Sequence, residues 1–181
     1  MKNYFRLPVD KQIQFLHPTV EMAEELFQLV DSNRTYFRQF LDFVDETKTV
    51  ADEEAYLKMK LKGEIEGTDR LFLIEYEGVL VGSIDLHYIN KVHKRAEIGY
   101  MLAEAYTKKG IMRRAVHKVC ALAFDDMGLN KLTIIADSEN QPSNQVAKSC
   151  GFTFVATDRQ EMCLYDELRD MNRYALLKQD K

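Results

Sequence analysis

The chain has 181 residues, of which 46% are hydrophobic and 30% are charged, and its formal net charge is −4. This composition predicts a single globular domain spanning 1–181 and argues against a protein that coats nucleic acid or an anionic membrane. No apolar stretch approaches the length of a membrane span, and the first ten residues lack the apolar run of a signal peptide. The three cysteines, Cys120, Cys150 and Cys163, show no metal-ligand spacing, so we expect reduced thiols, no metal site and a cytoplasmic location.

The first half of the chain predicts a strand followed by helices. Residues 12–16 alternate and indicate a strand, and residues 17–33 place apolar side chains on one helical face, with Thr19 as the expected cap. The aromatic segment 33–44 predicts a short helix and a loop. Thr49 and Asp52 have the spacing of a capping box, which predicts a helix from residue 50 that stops at Gly63.

The second half predicts mostly strands. Segments 71–76 and 79–89 flank a Glu77-Gly78 hairpin turn, and 95–102 is a further strand. A long helix over 107–130, a strand over 131–137, a short helix ending at Gly151 and two closing strands follow. The helical crossover between 95–102 and 131–137 implies a parallel pair. The fold class is therefore α/β (α+β), with a mixed, mostly antiparallel sheet and helices on both faces.

A basic helix start is the sharpest local signal. Four basic side chains surround Gly110 at a strand-to-helix junction, namely Lys108, Lys109, Arg113 and Arg114. Free N–H groups and the positive end of the helix dipole make such a start a binding site for a pyrophosphate. The alternative is a solvated basic turn. Neither a Walker loop nor a G-x-G-x-x-G fingerprint is present.

Three segments carry a family resemblance. Residues 96–116 (AEIGYMLAEAYTKKGIMRRAV) resemble the central Q/R-x-x-G-x-G/A motif of the GNAT superfamily of N-acetyltransferases, keeping Gly110 but with Thr107 and Met112 at two motif positions. Residues 140–152 resemble the N-x-x-S…A…G-F signature of the branch that acetylates the N-termini of ribosomal proteins (RimJ/RimL-like). Residues 13–43 resemble the opening strand, helix and aromatic loop of that branch.

The resemblance implies a set of cofactor contacts. Acetyl-CoA would be the co-substrate, with its pyrophosphate on the backbone amides around Gly110, Ile111 and Met112. The amides of Tyr100, Met101 and Leu102 would pair with the pantetheine arm and polarise the thioester carbonyl. Asn140 and Asn144 would hold the pantetheine amides. Ser143 would donate to the leaving thiolate, because the tyrosine that many family members use late in the short helix is absent.

Two carboxylates are candidates for the general base. An α-amine has a pKa near 7.7–8.0, so it needs only a modest base. Glu97 is the first candidate because it lies on the strand that leads to the thioester; its alternative is a surface carboxylate paired with Lys94 or Arg95. Glu161, on the penultimate strand, is the second.

Other features admit more than one interpretation. The unaccompanied His87, His93 and His117 are expected to be surface or structural residues. The aromatic segment is expected to supply core and one wall of the cleft, through Tyr36, Phe37, Phe40 and Phe43. Nearby acidic residues would suit a cationic acceptor, namely Asp42, Asp45 and Glu46.

The sequence leaves the acceptor open. A protein N-terminus is the main interpretation, and a small amine (a polyamine, an aminoglycoside or an amino acid derivative) is the alternative. A non-catalytic CoA-binding module is a third possibility. The closing strands could pair across subunits, so a homo-oligomer is possible. No direct nucleic-acid or membrane partner is expected.

Overall fold

The computed structural model describes residues 5–181, so that the start of the chain, where the sequence predicts no signal peptide, lies partly outside it. Over those residues the chain forms eight strands and five α-helices. In chain order they are β1 (Arg6–Pro8), β2 (Ile13–Leu16), α1 (Ala23–Ser32), α2 (Arg34–Phe37), α3 (Val50–Glu66), β3 (Arg70–Tyr76), β4 (Val79–Asn90), β5 (Arg95–Leu102), α4 (Ile111–Ala121), β6 (Lys131–Asp137), α5 (Gln141–Ser149), β7 (Thr153–Leu164) and β8 (Glu167–Leu177).

All eight strands belong to one sheet in the order β1-β2-β3-β4-β5-β6-β8-β7. Every pairing is antiparallel except β5 with β6, as the helical crossover predicts. The last strand, β8, inserts between β6 and β7. The predicted fold class is confirmed, with β1 as a short edge strand that the sequence analysis did not predict.

The parallel pair is short, and its ending creates the cleft. β5 and β6 pair only from Arg95–Lys131 to Glu97–Thr133. Beyond that point β5 continues along β4, with Leu102 opposite Gly82, while β6 continues along β8. The two strands therefore diverge, and the second half of β5 has no strand partner on this side.

Two hydrophobic clusters cover the two faces of the sheet. One contains α1, α2 and α3 with buried side chains such as Leu26, Val30 and Leu57. The other contains α4 and α5 with side chains such as Val116 and Phe124. Alternation along each strand sends successive side chains to opposite faces, so central strands such as β4 are buried on both sides, whereas the edge strand β7 is mostly exposed.

Local signals explain most element ends, with two corrections. Asp52 accepts from the Thr49 backbone N–H at 2.8 Å and so caps α3, as predicted. The helix continues past Gly63, however, and ends at Gly67, whose φ of 77° is the left-handed conformation of a helix terminus. Thr19 precedes a short 3₁₀ turn, and its side chain makes no capping hydrogen bond. No helix among residues 5–181 is both long and apolar enough to cross a membrane.

Candidate active site

A cleft of about 830 Å³ opens where β5 and β6 diverge. One end lies over the starts of α4 and α5, and the other lies between the aromatic segment and β7. Its floor is the second half of β5, including Gly99, Tyr100, Met101 and Leu102. Because this stretch has no partner strand on the cleft side, its backbone groups are available to a ligand that lies along it.

The start of α4 forms the wall of one end. Gly110 occupies the N-cap position with a φ of 70°, a conformation that costs glycine little and other residues more. Gly110, Ile111 and Met112 all line the cleft. The first N–H groups of this helix have no acceptor within the helix, so the end suits an anion.

The four basic side chains of this segment divide into two pairs. Lys108 and Arg113 line the cleft. Lys109 instead lies over the Tyr106 ring, with 4.7 Å from Nζ to the ring centroid. Arg114 donates to Asp10 at 2.7 Å. In this structure the Lys109 and Arg114 side chains therefore point away from the cleft and have partners of their own.

The start of α5 supplies the opposite wall. The Asn140 side chain caps the helix by accepting from the Ser143 backbone N–H at 3.1 Å, and both residues line the cleft. Asn144 is buried, with 3% exposure. Its amide donates to the Asp137 and Asn140 carbonyl oxygens, and its oxygen accepts from Asn172 and Tyr174. The hydrogen-bonding capacity of its side-chain amide is used internally, and Asn144 does not line the cleft in this structure.

A tyrosine hydroxyl meets Ser143 from the strand. Tyr100 Oη lies 2.9 Å from Ser143 Oγ and 3.3 Å from the Ser143 carbonyl oxygen. Burial raises the pKa of Tyr100 well above its ordinary value, so the phenol stays protonated. The sequence analysis assigned Tyr100 a role through its backbone only. The side chain was missed because β5 and α5 are far apart along the chain.

The other end of the cleft carries carboxylates and aromatic rings. Glu97, Glu161 and Asp42 line it, together with Tyr36, Phe37 and Phe40, so the aromatic wall is confirmed for these three rings. Phe43 is half-buried and packs against the hydrophobic cluster that contains α1 and α3. Asp45 is taken up by an ion pair with Arg38. The hairpin tip between β7 and β8 closes over this end, where Tyr165 Oη donates to the Leu41 carbonyl oxygen at 2.8 Å.

His87 joins Glu97 to the interior. Its Nε2 lies 3.1 Å from Glu97 Oε1, and its Nδ1 lies 3.2 Å from Asp85 Oδ2. Lys60 on α3 in turn donates to Asp85 at 2.7 Å and to Asp69 at 2.8 Å. The two carboxylates outweigh the burial of the ring and raise the pKa of His87 to about 9. The sequence analysis treated His87 as unaccompanied, and its alternative interpretation of Glu97 gave Lys94 or Arg95 as the partner; in the structure His87 instead pairs with both Asp85 and Glu97.

A bulge in β4 explains why His87 faces the cleft beside its neighbour. The register with β5 shifts between His87 and Asn90, and Tyr88 takes a φ of 51°. Consecutive strand residues normally point to opposite faces. At this bulge both His87 and Tyr88 line the cleft, with 78% of Tyr88 exposed.

Burial keeps two of the thiols in their weakly nucleophilic, protonated form. Burial raises the pKa of Cys150 to about 11 and that of Cys120 to about 12, so both stay protonated at neutral pH. Cys150 lies at the end of α5, with its Sγ 3.6 Å from the Arg113 carbonyl oxygen. No group of three or more His, Cys, Asp or Glu residues suited to a metal ion occurs within 5–181.

Known proteins with similar sequences and folds match this description. The sequence profile described as "Acetyltransferase (GNAT) domain" matches residues 13–153. The ribosomal-protein-serine acetyltransferase of Escherichia coli K12 is 29% identical over 161 residues, which cover 88% of this chain and 90% of that protein. The spermidine N(1)-acetyltransferase of the same strain is 28% identical over 111 residues, which cover 61% and 60%. The crystal structure of the microcin C7 self-immunity acetyltransferase MccE, in complex with acetyl-CoA and AMP, superimposes with a TM-score of 0.89 at 25% identity, covering 93% of this chain and 94% of that one.

Proposed function

This chain belongs to the GNAT family of acetyltransferases, and on that premise we propose that it acetylates the N-terminal α-amine of a protein, such as a ribosomal protein, by direct attack on acetyl-CoA in a ternary complex. The family supplies the acyltransferase activity and acetyl-CoA as co-substrate. The observation that carries the proposal is the cleft itself. It joins an anion-binding helix start to a group of carboxylates along a strand without a partner.

The residues present fit acetyl-CoA. The pyrophosphate would lie against the amides at the start of α4, between Lys108 and Arg113. The pantetheine arm would run along β5, where the amides of Tyr100, Met101 and Leu102 can pair with it and polarise the thioester carbonyl. Asn140 lies on the opposite wall.

Proton transfer would use groups on both sides of the thioester. Among the carboxylates Glu97 and Glu161, one or both would receive the proton of the attacking amine, directly or through water. Ser143 would donate to the leaving sulfur. Its contact with Tyr100 supports this role, because a tyrosine that donates to Ser143 Oγ leaves the serine proton free to point into the cleft.

A small polyamine is a second candidate acceptor. Asp42, Glu97 and Glu161 place several negative charges at the acceptor end, which suits a polycation. The similarity to spermidine N(1)-acetyltransferase over 111 residues supports the same candidate. A protein N-terminus remains the proposal because the ribosomal-protein-serine enzyme is similar over nearly the whole chain.

A direct assay separates these candidates. The purified protein and acetyl-CoA would be offered serine- and alanine-starting peptides, their N-terminally blocked forms, and spermidine, with products identified by mass spectrometry. We expect acetylation of the free peptides and none of the blocked ones. Turnover on spermidine alone would overturn the proposal, and CoA binding without turnover on any amine would indicate a non-catalytic module.

The basic residues provide a matched test of the CoA site. Lys108→Ala and Arg113→Ala should each weaken CoA binding about 3- to 10-fold in calorimetry, because each removes a charge that faces the cleft. Lys109→Ala and Arg114→Ala remove equal charges that point elsewhere and should change the affinity by less than about 2-fold. Equal losses in all four variants would mean that net charge, rather than a defined site, attracts CoA.

A further inference from the structure

We propose that His87 is a positioning residue that holds Glu97 as a docking carboxylate for the ammonium form of the acceptor amine. The proposal deepens the function proposed above by giving the acceptor end of the cleft a recognition group. The proposal rests on the hydrogen bonds of His87, on the space that the sheet leaves for the His87 side chain, and on the row of charged side chains between His87 and the interior.

The contacts fix the protonation of the ring. Asp85 and Glu97 face the two ring nitrogens at 3.2 and 3.1 Å. An ionised carboxylate only accepts hydrogen bonds, so both nitrogens must donate for both contacts to form. Only the imidazolium has two N–H donors. The raised pKa of His87, about 9, agrees with this geometry.

The sheet is built to hold this arrangement. Gly99 on β5 lies directly opposite Asp85 on β4. A Cβ at position 99 would come 2.7 Å from Asp85 Oδ1 and 3.1 Å from His87 Cε1. A glycine here therefore leaves the space that the two side chains occupy, and any larger residue would displace one of them.

Charges of alternating sign connect the interior to the cleft. The row runs from Asp69 through Lys60, Asp85 and His87 to Glu97. Lys60 and Asp85 each expose only about a tenth of their side chains, at 11% and 12%. Tyr56 of α3 also faces Asp85, and Tyr88 lies beside the ring of His87.

The open end of this row is Glu97. Its side chain keeps 24% of its surface exposed and lines the acceptor end of the cleft. One oxygen is held by His87, which leaves lone pairs of the carboxylate directed to solvent. With three negative and two positive charges, the row has a net charge of −1, and binding of a cationic amine would bring this net charge to zero.

Binding measurements test the proposal without chemistry. Calorimetry would measure the affinity of a serine-starting peptide for the protein–CoA complex at pH 7, where most of the α-amine is an ammonium ion. We expect His87→Gln and Glu97→Gln each to weaken peptide binding about 10-fold, with no further loss in the double variant. CoA affinity should stay within about 2-fold. His117→Gln, an exposed histidine on α4, is the matched control.

The outcomes of these measurements decide whether His87 and Glu97 act together in docking the amine. Additive losses in the double variant, or peptide affinity unchanged by His87→Gln, would overturn the docking role. NMR of the labelled ring gives a second readout: both nitrogens should be protonated at pH 7.5 and titrate near 9, and Glu97→Gln should lower that midpoint. Bound peptide, which adds a cation beside Glu97, should lower the midpoint in the wild type as well, whereas a histidine with a purely structural role would not respond to peptide. If the wild type binds peptide in this way but transfers no acetyl group, the proposed function fails while the docking role stands.

Discussion

Replacing Tyr100 by phenylalanine removes one buried oxygen atom and tests whether Ser143 works alone. Tyr100 Oη lies 2.9 Å from Ser143 Oγ, and Tyr100 is part of β5. Without the phenol the serine hydroxyl can turn inward towards its own helix, and its proton is no longer directed at the leaving sulfur. Ser143→Ala removes the proton donor itself.

The magnitudes follow from the contact. A neutral hydroxyl–hydroxyl hydrogen bond contributes about 1 kcal/mol, which corresponds to a loss of about 5-fold in kcat for Tyr100→Phe. Loss of a general acid costs about 100-fold or more, which we expect for Ser143→Ala. Because Tyr100 is proposed to act through Ser143, Tyr100→Phe in the Ser143→Ala background should have no further effect.

The assay follows the release of the CoA thiol with a chromogenic reagent at saturating acetyl-CoA and acceptor peptide. Tyr76→Phe is the matched control, because it removes a tyrosine hydroxyl that accepts from Gln12 at 3.2 Å outside the cleft. Thermal unfolding of each variant checks that the loss is not one of folding. If Tyr100→Phe reduces kcat by the same factor with and without Ser143, the two hydroxyls act independently and the reasoning is wrong.

Three further predictions concern stability. Asn144→Ala removes the four hydrogen bonds of a buried side chain and should lower the free energy of unfolding by about 3 kcal/mol in urea titration, whereas Asn140→Ala at the half-buried cap should cost about 1 kcal/mol. The pKa of His87 is raised from 6.5 to about 9, so its contribution to stability is fully present below pH 6.5 and is lost as the pH rises through 9. A pKa shift of this size corresponds to about 3 kcal/mol of stability, which the partial exposure of His87 reduces to about 1–2 kcal/mol. The difference in unfolding free energy between the wild type and His87→Gln should therefore shrink by about 1–2 kcal/mol between pH 6.5 and 9.5. A difference that stays constant over this pH range would contradict the ion pairs of His87. Gly99→Ala should destabilise the fold by about 1–3 kcal/mol because the new methyl group meets Asp85, and circular dichroism melting would detect the change.

Local sequence signals predicted most of the fold. The strands over 95–102 and 131–137 and the hairpin at Glu77-Gly78 have the predicted bounds, because alternation and turn residues act over a few positions. The three-residue β1 is too short to show alternation and forms only by pairing with β2. Gly63 and Gly67 could each end α3 as judged from the sequence, and the prediction took the earlier one. Only Gly67, in the left-handed conformation, ends the helix.

The site was harder to predict because its contacts join distant segments. Lys108 and Lys109 are equivalent in the sequence, yet one lines the cleft and the other lies over Tyr106. His87 was assigned no role because its contact with Glu97 depends on the register between β4 and β5, which the sequence does not give. The catalytic assignments of Ser143, Glu97 and Glu161, and the cofactor contacts of the other cleft residues, stay predictions that the experiments above test.

The divergence of β5 from β6 also bears on the behaviour of the ligand-free enzyme. Unpaired strand edges are usually protected from pairing with other chains by charged residues, proline or a covering segment. Residues 98–102 (IGYML), where β5 no longer pairs with β6, contain no charge and no proline. Bound CoA would therefore occupy the place of a partner strand and protect the backbone amides of residues 98–102 from pairing with another chain. We expect the hydrogen exchange of these amides to slow by at least 10-fold when CoA is added.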